Sequence, residues 1–161
     1  ANERTFQMIS QVAGRAWRSE KSGRVFIQTL MPDQPAIRFA MDYNFDAFVD
    51  AELAHRSRCN LPPFWRMAII TLRDLSHEKV SQASENMRQK IDALAPNEAS
   101  FIVRGPADAP IARVASFFRM QIILQAANPS VMSAVLSRLR ETSDIRPAVT
   151  ITFDVDPVNI L

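Results

Sequence analysis

Phe118-Arg119-Met120-Gln121-Ile122-Ile123-Leu124-Gln125-Ala126 carries an apolar side chain at every second position. A strand sends successive side chains to opposite faces, so this run predicts a β-strand with one face buried and one presented outward. Phe118, Met120, Ile122, Leu124 and Ala126 form the buried row. Phe117, Arg119 and Gln121 project to the other side. Downstream, Asn128 offers an N-cap with Pro129 at the first helical position. Val131, Val135 and Leu139 continue as a helical stripe, and Val149, Ile151, Phe153 and Val155 alternate as a last strand.

Upstream, Ser100–Arg104 reads as a short strand closed by Gly105-Pro106, with residues 105–116 as a long hairpin loop. Before it, Val80, Ala83, Met87, Ile91 and Leu94 make a helical stripe that ends ahead of Pro96, and Arg66–Arg73 reads as the first strand. The order is βαββαβ, an α+β arrangement of the ferredoxin-like type. Right-handed crossovers put both helices on one side of the sheet, which leaves the side bearing Phe117, Arg119 and Gln121 uncovered.

Pro62-Pro63 marks the boundary ahead of this domain, because each proline disfavours helix at the residue before it. Residues 65–161 are therefore assigned to one domain and residues 32–64 to a helical linker, in which Ile37, Met41, Phe45, Phe48, Val49 and Ala51 follow helical spacing. Residues 1–31 hold a helical pattern over residues 3–13 and a strand-like run, Val25-Phe26-Ile27-Gln28-Thr29, ended by Pro32 and Pro35. A chain that opens on Ala1-Asn2-Glu3-Arg4, inside a helical pattern and without an initiator Met, reads as a fragment.

The bulk properties are those of a globular chain, with 47% hydrophobic and 22% charged residues. No apolar run approaches the roughly 18 residues of a membrane span. Cys59 stands alone and there are 2 histidines, His55 and His77, so neither a disulfide nor a structural metal site is expected. Cys59 itself reads as a small half-buried side chain. The absence of cross-links fits a reducing cytoplasm. Although the net charge is only +2, Arg56, Arg58, Arg66 and Arg73 face no acid between Leu53 and Arg73. Between Arg104 and Arg140 there are five arginines against Asp108 alone. Such local excess suits a phosphate backbone or an acidic peptide, and equally a solvated basic face.

Gln11-Val12-Ala13-Gly14-Arg15-Ala16-Trp17-Arg18 resembles the sixth motif of superfamily 2 helicases, Q-x-x-G-R-x-G-R. An arginine stays charged and donates in a planar fork, which suits a leaving γ-phosphoryl group. The same residues at a helix C-terminus also suit pairing with its last carbonyls. Beyond the motif, Gln28-Thr29 with Pro32, Pro35, Ala36 and Ile37 is similar to a stretch of the primosomal protein N′ family of replication-restart helicases. So are Phe48, Glu52-Leu53, Arg56 and Pro62-Pro63-Phe64, the set Gly105-Pro106, Pro110, Arg113, Arg119 and Gln121, and the closing Asp154-Val155-Asp156-Pro157.

That resemblance implies a parent ATP-dependent 3′-5′ DNA helicase that reloads the replication machinery, with residues 1–31 ending its second RecA-like lobe. It implies that Arg15 and Arg18 reach the ATP γ-phosphate, supported by Gln11 and Gly14. It also implies that residues 65–161 help bind branched and single-stranded DNA, the acidic tail of single-stranded DNA-binding protein and other primosome proteins, through Arg113, Arg119, Gln121 and Phe117. ATP, Mg²⁺ and Zn²⁺ belong to upstream parts of such a parent, so this chain by itself is expected to hold no cofactor and to be inactive. Trp17 replaces the motif's second Gly, and Ala115 and Phe117 stand where the family is often basic. A free-standing ferredoxin-like regulatory or structural domain without catalysis is the competing reading.

Overall fold

Along the described residues the elements run α1 (Asn2–Ala16), α2 (Pro35–Met41), α3 (Phe45–Arg58), β1 (Arg66–Asp74), α4 (His77–Leu94), β2 (Phe101–Val114), β3 (Phe117–Ala126), α5 (Pro129–Glu141) and β4 (Thr150–Val155). The computed structural model describes residues 2–16, 24–96, 98–141 and 149–157. The chain divides into two compact units, residues 1–58 and 59–161.

The second unit is α+β. Its four strands pair antiparallel throughout, in the order β2-β3-β1-β4. The alternation in β3 decides which side is packed. Ile122, Leu124 and Ala126 join Ala68, Ile70 and Leu72 of β1 beneath both helices, with Phe118 and Met120 packed at the margin. From α4 come Val80, Met87 and Ile91, and from α5 come Met132, Val135, Leu136 and Leu139. Both helices therefore cover one face. Asn128 Oδ1 accepts from the Ser130 amide at 2.9 Å, and Ser76 Oγ accepts from the Lys79 amide at 3.4 Å, so each helix start is capped.

The hairpin differs from the sequence expectation. Residues 105–114 are strand and not loop: β2 runs on through Gly105-Pro106 to Val114, and a two-residue turn at Ala115-Ser116 joins it to β3. The register shifts between Arg104 and Ala107 and again between Asp108 and Arg113. Pro106 and Pro110 fall within those irregular stretches on an edge strand, where a missing N–H interrupts no ladder to an outer neighbour. Gly105 adopts φ +91, and a Cβ there would lie 2.6 Å from the Gln121 carbonyl oxygen, so only glycine fits the kink.

The first unit is helical. Phe6 of α1 stacks on Phe48 of α3 with centroids 4.3 Å apart, and Ala36 and Ala40 of α2 complete that small core. The single helical pattern over residues 37–51 is corrected: it breaks into α2 and α3 at Asp42–Asn44. Tyr43 takes φ 52, and Asn44 Oδ1 accepts from the Ala47 amide at 3.1 Å, so a left-handed residue and a new N-cap override the apolar spacing. The expected last strand at residues 25–29 is likewise corrected. Residues 24–29 form no strand, since a strand needs a partner and the described residues of this unit hold none. No helix of the described residues is long and apolar enough to cross a membrane.

Candidate nucleic-acid interface

Register across β1, β3 and β4 builds the face opposite the helices. Arg73 lies directly across from Arg119, Thr71 from Gln121, Ile69 from Ile123 and Met67 from Gln125. On the far side of β1, Thr150 stands beside Arg73, Thr152 beside Thr71 and Asp154 beside Ile69. On β2, Val114 lies opposite Phe117 and Arg104 opposite Ile123. Each successive rank of this face lies two residues, about 7 Å, further along the strands.

The ranks differ in character. At one end Met67, Ile69 and Gln125 are buried, and Gln125 Nε2 donates to the Asn60 carbonyl at 2.8 Å. The segment leading into β1 thus reaches over this end, so the face is not wholly uncovered as expected. A hydroxyl and amide rank follows, in which Gln121 Nε2 donates to Thr71 Oγ1 at 3.3 Å and Thr152 Oγ1 donates to the Thr71 carbonyl at 3.4 Å. The other end is cationic and aromatic. The Arg73 guanidinium lies 5.4 Å from the Phe117 ring centroid, and Arg119 Nη1 donates to the Ile111 carbonyl at 3.3 Å.

Arg73 and Arg119 form no ion pair among the described residues. Like charges directly opposite across strands are destabilising, so core stability does not explain the pair. Asp154, exposed on edge strand β4, is the acid on this face. An anion laid across Arg73, which is exposed, and the half-buried Arg119 would meet two forked donors.

Three of the binding residues expected from the sequence, Phe117, Arg119 and Gln121, therefore share the face opposite the helices. Arg113 does not join them, which corrects its place in that group. It belongs to strand β2, not to a loop, and pairs with Phe118, so its side chain falls on the helix side, with its guanidinium 5.0 Å from the Phe118 ring centroid. His77 meets the same ring edge-on at 5.3 Å. The sequence reading did not place Arg73, Thr71 or Arg104 on the outward face. Odd positions of β1 alternate outward, but only the register sets them beside β3. Cys59 is exposed, contrary to the half-buried placement expected.

Gln11, Gly14 and Arg15 are exposed along α1, with Arg15 in its last turn, and Arg18 lies outside the described residues. A Cβ at Gly14 would meet nothing within 4 Å, so packing within this chain does not demand the glycine. These groups alone do not make a nucleotide site. Nor do the described residues fit zinc: no group of three or more His, Cys, Asp or Glu is placed to hold a metal ion among them.

The second unit is thus an α+β domain in which a four-stranded antiparallel sheet is backed by two helices and carries opposed arginines on its other face. The family described as the primosomal protein N C-terminal domain matches residues 57–158. The chain belongs to that family. It is 36% identical over 161 residues to the replication restart protein PriA of Treponema pallidum, covering 100% of this chain and 24% of that protein. With PriA of Bacillus subtilis it shares 34% over 140 residues, 86% of this chain and 17% of that protein. With PriA of Synechocystis it shares 31% over 158 residues, 98% of this chain and 18% of the relative. The chain thus spans less than a quarter of each of these relatives, and the resemblance read from its motifs is borne out.

Proposed function

We propose that the second unit is a DNA-binding and partner-docking module of an ATP-dependent replication-restart helicase, working in the cytoplasm. The observation that carries this reading is the unneutralised Arg73–Arg119 pair on the sheet face away from the helices. Relatives named as replication restart proteins supply the context in which DNA is the polyanion at hand. The strand order β2-β3-β1-β4 with a helix in each crossover supports a ferredoxin-like fold, and the exposed position of Arg15 late in α1 is compatible with service to a nucleotide held by other residues.

Binding through phosphates releases counterions, so affinity for a single strand falls with salt by a slope of about 0.7 per phosphate neutralised. Replacing Arg73 and Arg119 together by Ala should weaken DNA binding and reduce that slope by about 1.4, measured by anisotropy titration across a salt series. An unchanged slope and affinity would remove the face from consideration. A loss produced by Arg113→Ala alone would instead move the interface to the helix side.

A further inference from the structure

Phe117 begins β3 beside the turn, and its ring is half-buried on the sheet face that the helices leave bare. Its neighbours are specific. Val114 stands directly opposite on β2 and is 45% exposed, Arg119 is the next outward residue of the same strand, and Arg73 reaches diagonally from β1 over the ring. Beyond the two arginines lies the rank of Thr71, Gln121 and Thr152, which offers hydroxyl and amide groups. An aromatic ring, a cationic pair and a rank of donors and acceptors therefore follow one another along the strands.

We infer that Phe117 is the stacking platform for an unpaired base of single-stranded DNA, with Arg73 and Arg119 taking the adjoining phosphates. The inference rests on the DNA-binding reading above and deepens it. A base within a duplex has both faces occupied by its neighbours, so a ring on a sheet can receive only a base that has left the stack. In the unbound chain the Arg73 guanidinium covers the ring at 5.4 Å from its centroid. Binding exchanges partners: Arg73 moves from the ring to a phosphate, and the base takes the face it leaves. Arg119, held toward β2 by the Ile111 carbonyl, keeps its charge away from Arg73 until the phosphate arrives. Thr71 and Gln121, one rank further along, supply both donors and acceptors within reach of a base edge.

The test compares a fluorescently labelled single strand with the same strand in which every base is replaced by an abasic sugar, each titrated into the 161-residue chain. Both strands carry the same phosphates, so their difference reads the bases alone. The intact strand should bind about 5- to 150-fold more tightly than the abasic one, the range expected for stacking of one base. Phe117→Leu should abolish that preference while leaving the salt slope in place, and far-UV circular dichroism establishes that the variant is folded. The comparison on the unaltered chain needs no variant at all. Equal binding of the two strands overturns the platform yet leaves phosphate binding standing. Binding of neither strand, or capture of an acidic peptide in their place, overturns the DNA reading and the platform with it.

Discussion

Ala115 and Ser116 both take positive φ, 48 and 71, in the two-residue turn between β2 and β3. A turn with both central residues left-handed matches the twist of the flanking strands, and Asn-Gly serves it best because those residues tolerate that conformation. Ala and Ser do not, so the turn carries local strain. Replacing Ala115-Ser116 by Asn-Gly should therefore stabilise the chain by about 1 kcal/mol, read as a raised urea midpoint of the second unit. A lower midpoint would mean that these side chains make contacts worth more than the strain. The same residues show why the hairpin was hidden in the sequence. Without Asn or Gly at the turn, and with Pro106 and Pro110 inside the strand, residues 105–116 carry the marks of a loop. The face assignment of Arg113 failed with it, since only the bulged register puts Arg113 beside Phe118. Phe117, Arg119 and Gln121 were legible because their strand is unbroken and alternates over its whole length.

At the level of elements, α1 and α3 are joined by charge as well as by the Phe6–Phe48 stack. Arg56 donates to Glu52 at 3.0 Å and to Glu3 at 3.1 Å, while Asn2 donates to Glu52 at 3.3 Å and receives from Gln34 at 3.0 Å. Burial pushes the Glu52 carboxyl up, but the hydrogen bonds from Arg56 and Asn2 and the nearby charge outweigh it and hold it below the ordinary value. Burial pulls Arg56 down, and its hydrogen bond to Glu52 with the charges of Glu3 and Glu52 more than restores it, so it stays protonated. A carboxyl depressed by folding contributes stability above its unfolded pKa and loses it as the pH falls through the folded value. The first unit should thus weaken on acidification below the usual carboxylate range of about 4.3, and Glu52→Gln should flatten that dependence. Urea melts followed by circular dichroism across the acid range decide it, and an identical pH profile in the variant would detach the network from stability. The helices of this unit were readable by spacing, yet their break at Asp42–Asn44 was not. A polar turn there competes with the apolar pattern, and spacing alone does not reveal which wins.

For the molecule as a whole, the two units carry unequal equipment. The second holds a continuous core and the paired arginines; the first presents Gln11, Gly14 and Arg15 on the exposed side of α1. Phosphoryl transfer asks for a glycine-rich loop cradling the phosphates, a lysine upon them and an acid holding Mg²⁺, with arginine as a supplement. The chain has 3 glycines, Gly14, Gly23 and Gly105, and no two of them share the five-residue spacing of a phosphate-binding loop. Arg15 without that cradle has charge to offer and no γ-phosphate to meet. The 161-residue chain should consequently release no phosphate from ATP above background, with or without DNA, even under conditions in which it binds a single strand. A coupled phosphate assay run beside the anisotropy titration checks both on one sample. DNA-stimulated release that disappears in Arg15→Ala would show that these residues assemble a nucleotide site unaided, and would require a phosphate cradle that no glycine in the chain supplies.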